Sequence, residues 1–445
     1  MKLHGETKEL LSGSMISLTA KGADLVLRYV LISLLARILG AEMLGRYTLV
    51  LGVLLVFVEI GRAGMDAVML KLGSELYSQG KFEELKQLYK QLSLILLGIG
   101  TILTLFLFTF APFIATTLLS KPYLTTSLQY LSLGIIPYLF LFLHSQGMRA
   151  LKNILAYSLA MDVALPLLSI LLIVALRSFI SPEALVILFI VGSAVITSAT
   201  ILPVWLRFSK FFKTVYSSTN YSKQIWTIAR PFISSILASL TLNWAAIFII
   251  GGTAATIDVA VFNIAYKVAL LASIPLIAIE TASSYQIAAS FKNNDLTTLK
   301  RHTQKATALT VLLAIPIIAF LVLFGKPLLT FFGNDFTSSY NLMLVMLLGQ
   351  CFNVITGPVS LVLTMTNKQN AFRNIFIFSA VLTLVLNYFF IRYWGLYGAA
   401  WSNVISIVVK NLLFYLAVKK HFGFSSFSLT LIKEKLGLLK NPSTV

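Results

Sequence analysis

Apolar residues in this chain run in stretches longer than an ordinary soluble helix needs. Each stretch holds about 20 mainly apolar residues, the length with which an α-helix crosses the hydrocarbon layer of a membrane. Short polar segments separate the stretches, and no soluble domain is inserted between them. The pattern predicts an all-α integral membrane protein with twelve transmembrane helices. They are placed at residues 12–37, 44–70, 91–111, 126–150, 153–176, 184–207, 225–250, 257–286, 303–325, 338–365, 371–393 and 396–420.

The first two stretches carry charged residues in their middles at the same spacing. The two trios are Lys21, Asp24 and Arg28, and Glu59, Arg62 and Asp66. Each spacing places its three side chains on one face of an α-helix. A charge at the centre of a membrane-spanning helix costs roughly 2.5–3.5 kcal/mol on insertion scales. We therefore expect each trio to have a partner, a water-filled cavity or a function.

Composition supports the membrane assignment. The 445 residues are 58% hydrophobic and 11% charged, with a mean hydropathy of +0.88, whereas a soluble domain is about 25% charged. The polar residues 1–9 lead into a long apolar run without a small-residue cleavage site, which predicts an uncleaved first span. The single cysteine, Cys351, excludes an intrachain disulfide and a cysteine-based metal cluster.

Lysine and arginine distribution orients the predicted helices. With both termini in the cytoplasm, 23 of the 35 basic residues lie on the inner side and 6 in outer loops. Cytoplasmic loops of membrane proteins carry such an excess of positive charge. The net charge of +19 is therefore explained by membrane topology, and nucleic acid is not expected as a partner.

The chain resembles two halves in tandem, offset by about 215 residues. Residues 81–91 after span two correspond to residues 295–305 after span eight, and Pro112 corresponds to Pro327. Six spans per half give the halves parallel topology, which places a substrate site between two lobes near the membrane midplane. The predicted division is an N-terminal lobe at 1–215, a C-terminal lobe at 216–424 and a cytoplasmic tail at 425–445.

Enzyme signatures are missing from the sequence. There is no HExxH motif, and residues 40–47, the nearest approach to a phosphate loop, lack its Lys-Ser/Thr ending. The short loops argue against a membrane glycosyltransferase or polymerase. We therefore predict a protein that is not an enzyme and that needs no cofactor and no metal.

Eleven charged residues lie within the predicted spans. The cations are Lys21, Arg28, Arg62, Arg230, Lys267 and Lys410, and the acids are Asp24, Glu59, Asp66, Asp162 and Glu280. Together they would cost on the order of 30 kcal/mol facing lipid, so they face the interior, water or each other. A surplus of cations suits an anionic substrate, because arginine gives bidentate contacts to phosphate and lysine adds a point charge.

Structural pairing is the alternative interpretation of these charges. Lys21 or Arg28 could neutralise Asp24, and the acids beside Arg62 could hold its guanidinium. Against pairing alone, Lys267 has no acid at helical spacing and lies about 15 Å into its span. The roles of three other residues have two interpretations each. Arg230 is a substrate contact or a side chain that snorkels to the membrane surface, Glu280 is a coupling acid or an interfacial group, and Lys410 is a packing residue or faces the lumen. His144 is expected to be a structural hydrogen-bonding group in preference to a proton relay.

The two six-helix halves, the segment 36–47 and the basic connector after span two resemble the polysaccharide transporters. These are O-antigen and lipid-linked oligosaccharide flippases of the multidrug/oligosaccharidyl-lipid/polysaccharide exporter superfamily. The resemblance extends to about residue 420. It implies a MATE-like fold with a central cavity. It also implies export of undecaprenyl-diphosphate-linked repeat units across the bacterial plasma membrane, for O-antigen or capsule, possible association with a polymerase complex, and coupling to H⁺ or Na⁺.

The resemblance also suggests which residues bind the substrate. Related lipid II flippases have cavity arginines on spans one, two and eight, which Arg28, Arg62 and Lys267 match by position. Lys21 and Arg230 complete the expected diphosphate-binding set. Four acids are expected to couple ions or orient the cations: Asp24, Asp66, Glu59 and Glu280. A multidrug or toxin exporter with an acidic cavity, and a lipid II flippase, are the alternatives.

Overall fold

The computed structural model describes residues 2–209 and 220–427, and every regular element in these ranges is helical. The first nine helices are α1 (Lys2–Arg62), α2 (Met65–Ser78), α3 (Phe82–Phe113), α4 (Thr125–Ser132), α5 (Ile135–Ala150), α6 (Ile154–Ser158), α7 (Leu165–Leu176), α8 (Pro182–Ser209) and α9 (Ser222–Thr253). The remaining six are α10 (Thr256–Leu270), α11 (Ile274–Lys292), α12 (Leu296–Thr330), α13 (Tyr340–Thr356), α14 (Val359–Met365) and α15 (Gln369–Phe422). Short 3₁₀ and π-helical turns join some of them, at Ile114–Leu118, Pro122–Leu124, Leu159–Ala164, Leu271–Ser273 and Asn334–Ser339.

These helices correspond to the twelve predicted spans. In the described part of the chain, eight helices are long and apolar enough to cross a membrane, and a ninth arises if the pair α4–α5, bent by 45°, is one span. Helices α1 and α15 each contain one glycine with non-helical backbone angles, Gly40 (φ 83°) and Gly395 (φ 55°), and each is thereby divided into two spans. The shorter apolar helix Glu183–Ala199 completes the set of twelve spans. The all-α, twelve-span fold is confirmed.

Several predicted boundaries differ from those of the structure. Residues 82–91, which lie before the third predicted span at 91–111, are the first turns of the continuous helix α3. The second span, predicted as one helix, breaks at Ala63 (φ 43°) and Gly64 (φ 81°). Positive φ angles of this kind end a right-handed helix, so α1 stops at Arg62 and α2 begins at Met65.

Close packing of small residues holds the end of α1 in place. A Cβ atom on Gly61 would lie 3.1 Å from Leu139 of α5, and one on Gly100 of α3 would lie at the same distance from that leucine. Glycines let membrane helices approach closely. Leu139 is fully buried at this junction, so the position of Arg62 is set by the packing of three helices.

The tandem repeat has structural counterparts. Lys81 and Asp295 are the N-cap residues of two long helices, α3 and α12. Each helix contains one of the corresponding prolines, Pro112 or Pro327, near its C-terminal end. The equivalent sequence positions therefore occupy equivalent places in two similar helices.

The chain divides into two compact units, Met1–Leu240 and Thr241–Val445, so the division falls within α9. The boundary predicted from the sequence, between 215 and 216, lies outside the described residues. Most of the predicted tail at 425–445 also lies outside them.

Candidate functional sites in the two units

The first charged trio lies on α1 in the N-terminal unit. Arg28 Nε lies 2.5 Å from Asp24 Oδ1, and the Arg28 side chain remains 53% exposed. No other hydrogen bond joins Arg28 to a described residue, so both of its Nη groups are available to a further acceptor. Lys21, one turn earlier, is also exposed. The trio therefore presents two accessible cations.

Asp162 adds a second acid to this trio. It lies on the π-helical turn Leu159–Ala164, within electrostatic range of Lys21, Asp24 and Arg28. Two acids now face two cations, so the surplus of positive charge expected from α1 alone is offset. The arrangement is a charge-balanced cluster drawn from two spans.

The second trio is built around the break between α1 and α2. Arg62 Nη1 lies 2.8 Å from Glu59 Oε1, and Arg62 Nη2 lies 2.5 Å from Asp66 Oδ2. Asp66 is in the first turn of α2, where the helix dipole favours a negative charge. Structural pairing, the alternative interpretation of this trio, is therefore observed in the structure.

The Arg62 guanidinium is also enclosed from one side. Its Cζ atom lies 4.0 Å from the centroid of the Phe142 ring, a cation–π contact. The Arg62 side chain is 19% exposed, and its Nε has no hydrogen-bond partner among the described residues. Arg62 is thus held by two carboxylates and one aromatic ring, and the trio carries one more acid than cation.

Arg230 lies next to this break. Its neighbour Ala229 packs against Gly64, where an added Cβ would lie 3.2 Å from the Ala229 carbonyl oxygen. Arg230 itself is exposed on α9. The structure therefore brings the helix of Arg230 to the junction of α1 and α2.

Lys267 and Glu280 belong to the C-terminal unit. The predicted eighth span bends at Leu271–Ser273, between α10 and α11. Lys267, half-buried, is in the last turn of α10, where a cation complements the helix dipole. Glu280 lies beyond the bend, on α11.

Glu280 has two polar neighbours that the sequence did not indicate. Ser360 Oγ donates a hydrogen bond of 3.1 Å to Glu280 Oε1, and Lys410 lies within electrostatic range of this carboxylate. Lys410 comes from α15, so three helices contribute to the group. Lys410 is therefore more than a packing residue.

Three features of these sites were not predicted from the sequence: the grouping of Asp162 with the first trio, the electrostatic interaction of Glu280 with Lys410, and the helix break at Gly64. Asp162, Glu280 and Lys410 were each recognised in the sequence as charges within predicted spans, but the residues that they interact with are distant in sequence. The two glycines that flank Arg62, Gly61 and Gly64, were a local indication of the break. In the described ranges, no group of three or more His, Cys, Asp or Glu side chains is placed to hold a metal ion.

Sequence comparison identifies two families. Residues 10–292 match the family described as "Polysaccharide biosynthesis protein", and residues 231–389 match the MatE family. The first match covers more than half of the chain. Among curated protein sequences, none matches this chain.

Solved structures share the fold. An inward-facing multidrug resistance MATE family transporter of the MOP superfamily is similar with a TM-score of 0.76 and 15% identity, over 92% of this chain and 98% of that one. The lipid II flippase MurJ, in an inward closed conformation, gives a TM-score of 0.72 and 14% identity, over 98% and 94% of the two chains. A MOP superfamily transporter from Pyrococcus furiosus gives 0.60 and 17%, over 93% and 95%. The fold is therefore MATE-like.

Proposed function

Because the chain belongs to the polysaccharide biosynthesis protein family, we propose that it is a flippase for lipid-linked saccharides. It moves undecaprenyl-diphosphate-linked oligosaccharide repeat units across the bacterial plasma membrane by alternating access, for O-antigen or capsular polysaccharide. Both termini lie in the cytoplasm in this proposal, as the excess of basic residues on one side favours. The MATE-like fold supports a transporter in preference to an enzyme.

Arg28 carries the proposal. Within residues 2–209 and 220–427, its guanidinium is ion-paired through Nε alone, with Asp24, and its side chain is 53% exposed. Two free Nη groups match the bidentate geometry with which arginine binds phosphate oxygens. Lys21, exposed one turn earlier on the same face, adds a second positive charge.

The acids of the cluster link substrate binding to protons in this proposal. Asp24 and Asp162 lie near both cations. A proton on either carboxylate would leave the cluster positive and favour a diphosphate, and the bound diphosphate would in turn favour the proton. Asp24, Glu59, Asp66 and Glu280 are the proposed coupling or orienting acids, with H⁺ or Na⁺ as the ion.

The remaining cations take more specific roles in this proposal. Arg62 is held by two carboxylates, so it would bind a diphosphate by exchanging one of them. Arg230, exposed beside the same break, would support that exchange. Lys267 supplies a positive charge from the C-terminal unit. A polysaccharide polymerase complex is the proposed partner that receives the exported unit.

The test is surface polysaccharide in a strain that carries only a mutant copy of the gene. Arg28→Ala should abolish the polymer while the protein remains in the membrane at normal level, and Arg62→Ala should abolish it as well, with its membrane level measured because the lost ion pairs also destabilise the protein. Arg177→Ala, outside both trios, is the matched control and should leave the polymer unchanged. Normal polysaccharide in both trio mutants would overturn the proposal.

Multidrug export is the second candidate. The Arg62 trio carries a net negative charge, as a site for organic cations would, and residues 231–389 match the MatE family. Deletion of the gene should then increase sensitivity to cationic drugs without changing surface polysaccharide. Transport of lipid II is distinguished by supplying it to the purified protein in vesicles, because the lipid II sugars differ from a polymer repeat unit while the diphosphate is shared.

A further inference from the structure

A polar cavity of about 200 Å³ lies within the C-terminal unit. Helices α9, α10, α13 and α15 form its wall. The polar or charged residues that line it are Asn243, Tyr266, Gln350, Asn353, Thr383, Asn403, Ser406 and Lys410, and apolar side chains such as Phe376 complete it. None of the charged trios contributes to this wall, so the cavity is a separate feature of the molecule.

Three groups on α15 face the cavity with unused hydrogen-bonding capacity. Ser406 is 4% exposed, and its Oγ has no partner among the described residues; Asn403 Oδ1 is likewise buried without a partner. The Lys410 ammonium interacts electrostatically with Glu280, but no hydrogen bond or salt bridge within 4.0 Å joins it to another described side chain. Their spacing places all three on one face of the helix. Buried polar atoms in a membrane protein are normally satisfied, so the Ser406 and Asn403 oxygens indicate a ligand or bound water beside Lys410.

A hydrogen-bonded chain behind the cavity fixes two of its amides. Ser273 Oγ bonds to Gln350 Oε1 at 2.5 Å, and Asn353 Nδ2 donates to the same Ser273 oxygen at 3.3 Å. Asn411 Nδ2 in turn donates to Asn353 Oδ1 at 2.9 Å. These bonds orient the Gln350 and Asn353 side chains before any ligand arrives, which is how specific polar sites are built.

The charge of the wall selects the class of ligand. Lys410 is the cation that lines the cavity, whereas Glu280, which interacts with it electrostatically and accepts a hydrogen bond from Ser360, is not part of the cavity wall. An ammonium without a bonded acceptor favours an anionic group on the ligand. Amides and hydroxyls that both donate and accept, next to the Tyr266 and Phe376 rings, suit a compound rich in hydroxyl groups.

We infer that this cavity is a binding site for a small hydroxylated anion, a single sugar that carries a carboxylate or phosphate group. Lys410 binds the anionic group, and Ser406 and Asn403 bind hydroxyl groups. The cavity has room for about seven waters at roughly 30 Å³ each, or for one ligand of that size. The site goes beyond the proposed transport function and stands without it.

Calorimetry on the purified protein in detergent tests the site with three probes: D-glucuronate, D-glucose and acetate. Glucuronate should bind at least about tenfold more tightly than either of the other two, because only glucuronate has both an anionic group and hydroxyls. Lys410→Met should remove this preference. Ser406→Ala should weaken the binding of glucuronate by about threefold to fivefold, as expected for the loss of one neutral hydrogen bond.

Lys419→Met, on the exposed end of the same helix, is the matched control and should bind as the unmodified protein does. The unfolding temperature of each variant shows whether it is folded. If Lys410→Met does not fold, Ser406→Ala still tests the site. Equal affinity for the three probes, or unchanged glucuronate binding in both cavity variants, would overturn the inference. Neither result affects the polysaccharide test above, which depends on Arg28 and Arg62.

Discussion

Arg62 Nη2 lies 2.5 Å from Asp66 Oδ2 although the helix breaks between the two residues. On one continuous helix the pair would be an ordinary contact one turn apart. In the structure, Ala63 and Gly64 adopt positive φ angles, and Asp66 lies in the first turn of a new helix. The ion pair therefore joins two helices and stabilises the break itself.

The contributions of Arg62 and Asp66 to the free energy of unfolding should be strongly coupled. Removing Arg62 alone, as Arg62→Gln, leaves two half-buried carboxylates without a cation and should cost about 3 kcal/mol. A double-mutant cycle with Asp66→Asn should give a coupling energy of about 1–3 kcal/mol in detergent unfolding experiments. The Arg46–Glu183 pair, 3.2 Å apart and more exposed, is the control and should give about 0–1 kcal/mol. Equal coupling in the two cycles would contradict the special role of the break.

Gly64→Ala should destabilise the protein by about 1–3 kcal/mol. The glycine has φ 81°, and an added Cβ would lie 3.1 Å from Phe232 Cβ and 3.2 Å from the Ala229 carbonyl oxygen. Thermal unfolding in detergent measures the loss. Gly98→Ala, inside α3 with nothing near the added atom, should be neutral or slightly stabilising. The same unfolding temperature for both variants would refute this account of the break.

Gly357→Ala should be more harmful than Gly395→Ala. Both glycines have positive φ, but a Cβ on Gly357 would lie 2.1 Å from Thr307 Oγ1, whereas open space surrounds Gly395. Thr307 is fully buried and its hydroxyl donates to the Thr303 carbonyl oxygen at 3.0 Å, so it has little freedom to move. We expect losses of about 2–4 and about 1 kcal/mol in the free energy of unfolding. The opposite order would show that backbone strain outweighs the clash.

Asp295 should make stability depend on pH. Its carboxylate accepts hydrogen bonds from the Thr298 hydroxyl (2.6 Å) and the Thr298 backbone N–H (2.9 Å), and these bonds lower the pKa of Asp295 below its ordinary value of 3.8. A carboxyl group with a lowered pKa in the folded state stabilises the protein above its unfolded pKa, and this contribution disappears as pH falls through the folded value. Asp295→Ala should therefore lower the unfolding temperature at pH 7, and the difference should shrink below about pH 4.

Asn153 offers the control for that experiment. It caps α6 in the same way, with its side-chain oxygen 3.1 Å from the Ala156 backbone nitrogen, but it does not titrate. Asn153→Ala should lower the unfolding temperature by an amount that does not change with pH. If both alanine variants followed the same pH profile, the carboxylate of Asp295 would not be the cause.

Local physical rules explain why the helices were predictable. About 20 apolar residues in sequence are enough to define a spanning helix, because each backbone hydrogen bond of a helix is satisfied within the same segment. Break positions were harder to predict, because a glycine such as Gly40 or Gly64 adopts positive φ only where the packing of neighbouring helices requires it. Span two was therefore predicted as one helix although the structure divides it.

The pairing of charges was likewise predictable only between residues that are close in sequence. The contacts of Arg62 with Glu59 and Asp66 were open to prediction because helical spacing brings near neighbours together. Asp162 meets the trio on α1, and Lys410 meets Glu280, only through packing between spans that are more than 100 residues apart in sequence. Long-range partners of this kind changed a predicted surplus of cations into a balanced cluster.

The sequence by itself determined the membrane environment, the twelve spans and the presence of charges that require compensation, because hydropathy and helical periodicity are local properties of the chain. Tertiary structure alone decided which charges are neutralised and which remain accessible. It left Arg28 exposed, with two Nη groups that bond to no residue in the described part of the chain, enclosed Arg62 between two acids, and assembled a polar cavity beside Lys410 from four helices. The physical reason is that burial and pairing depend on neighbours that only the packing of distant helices supplies.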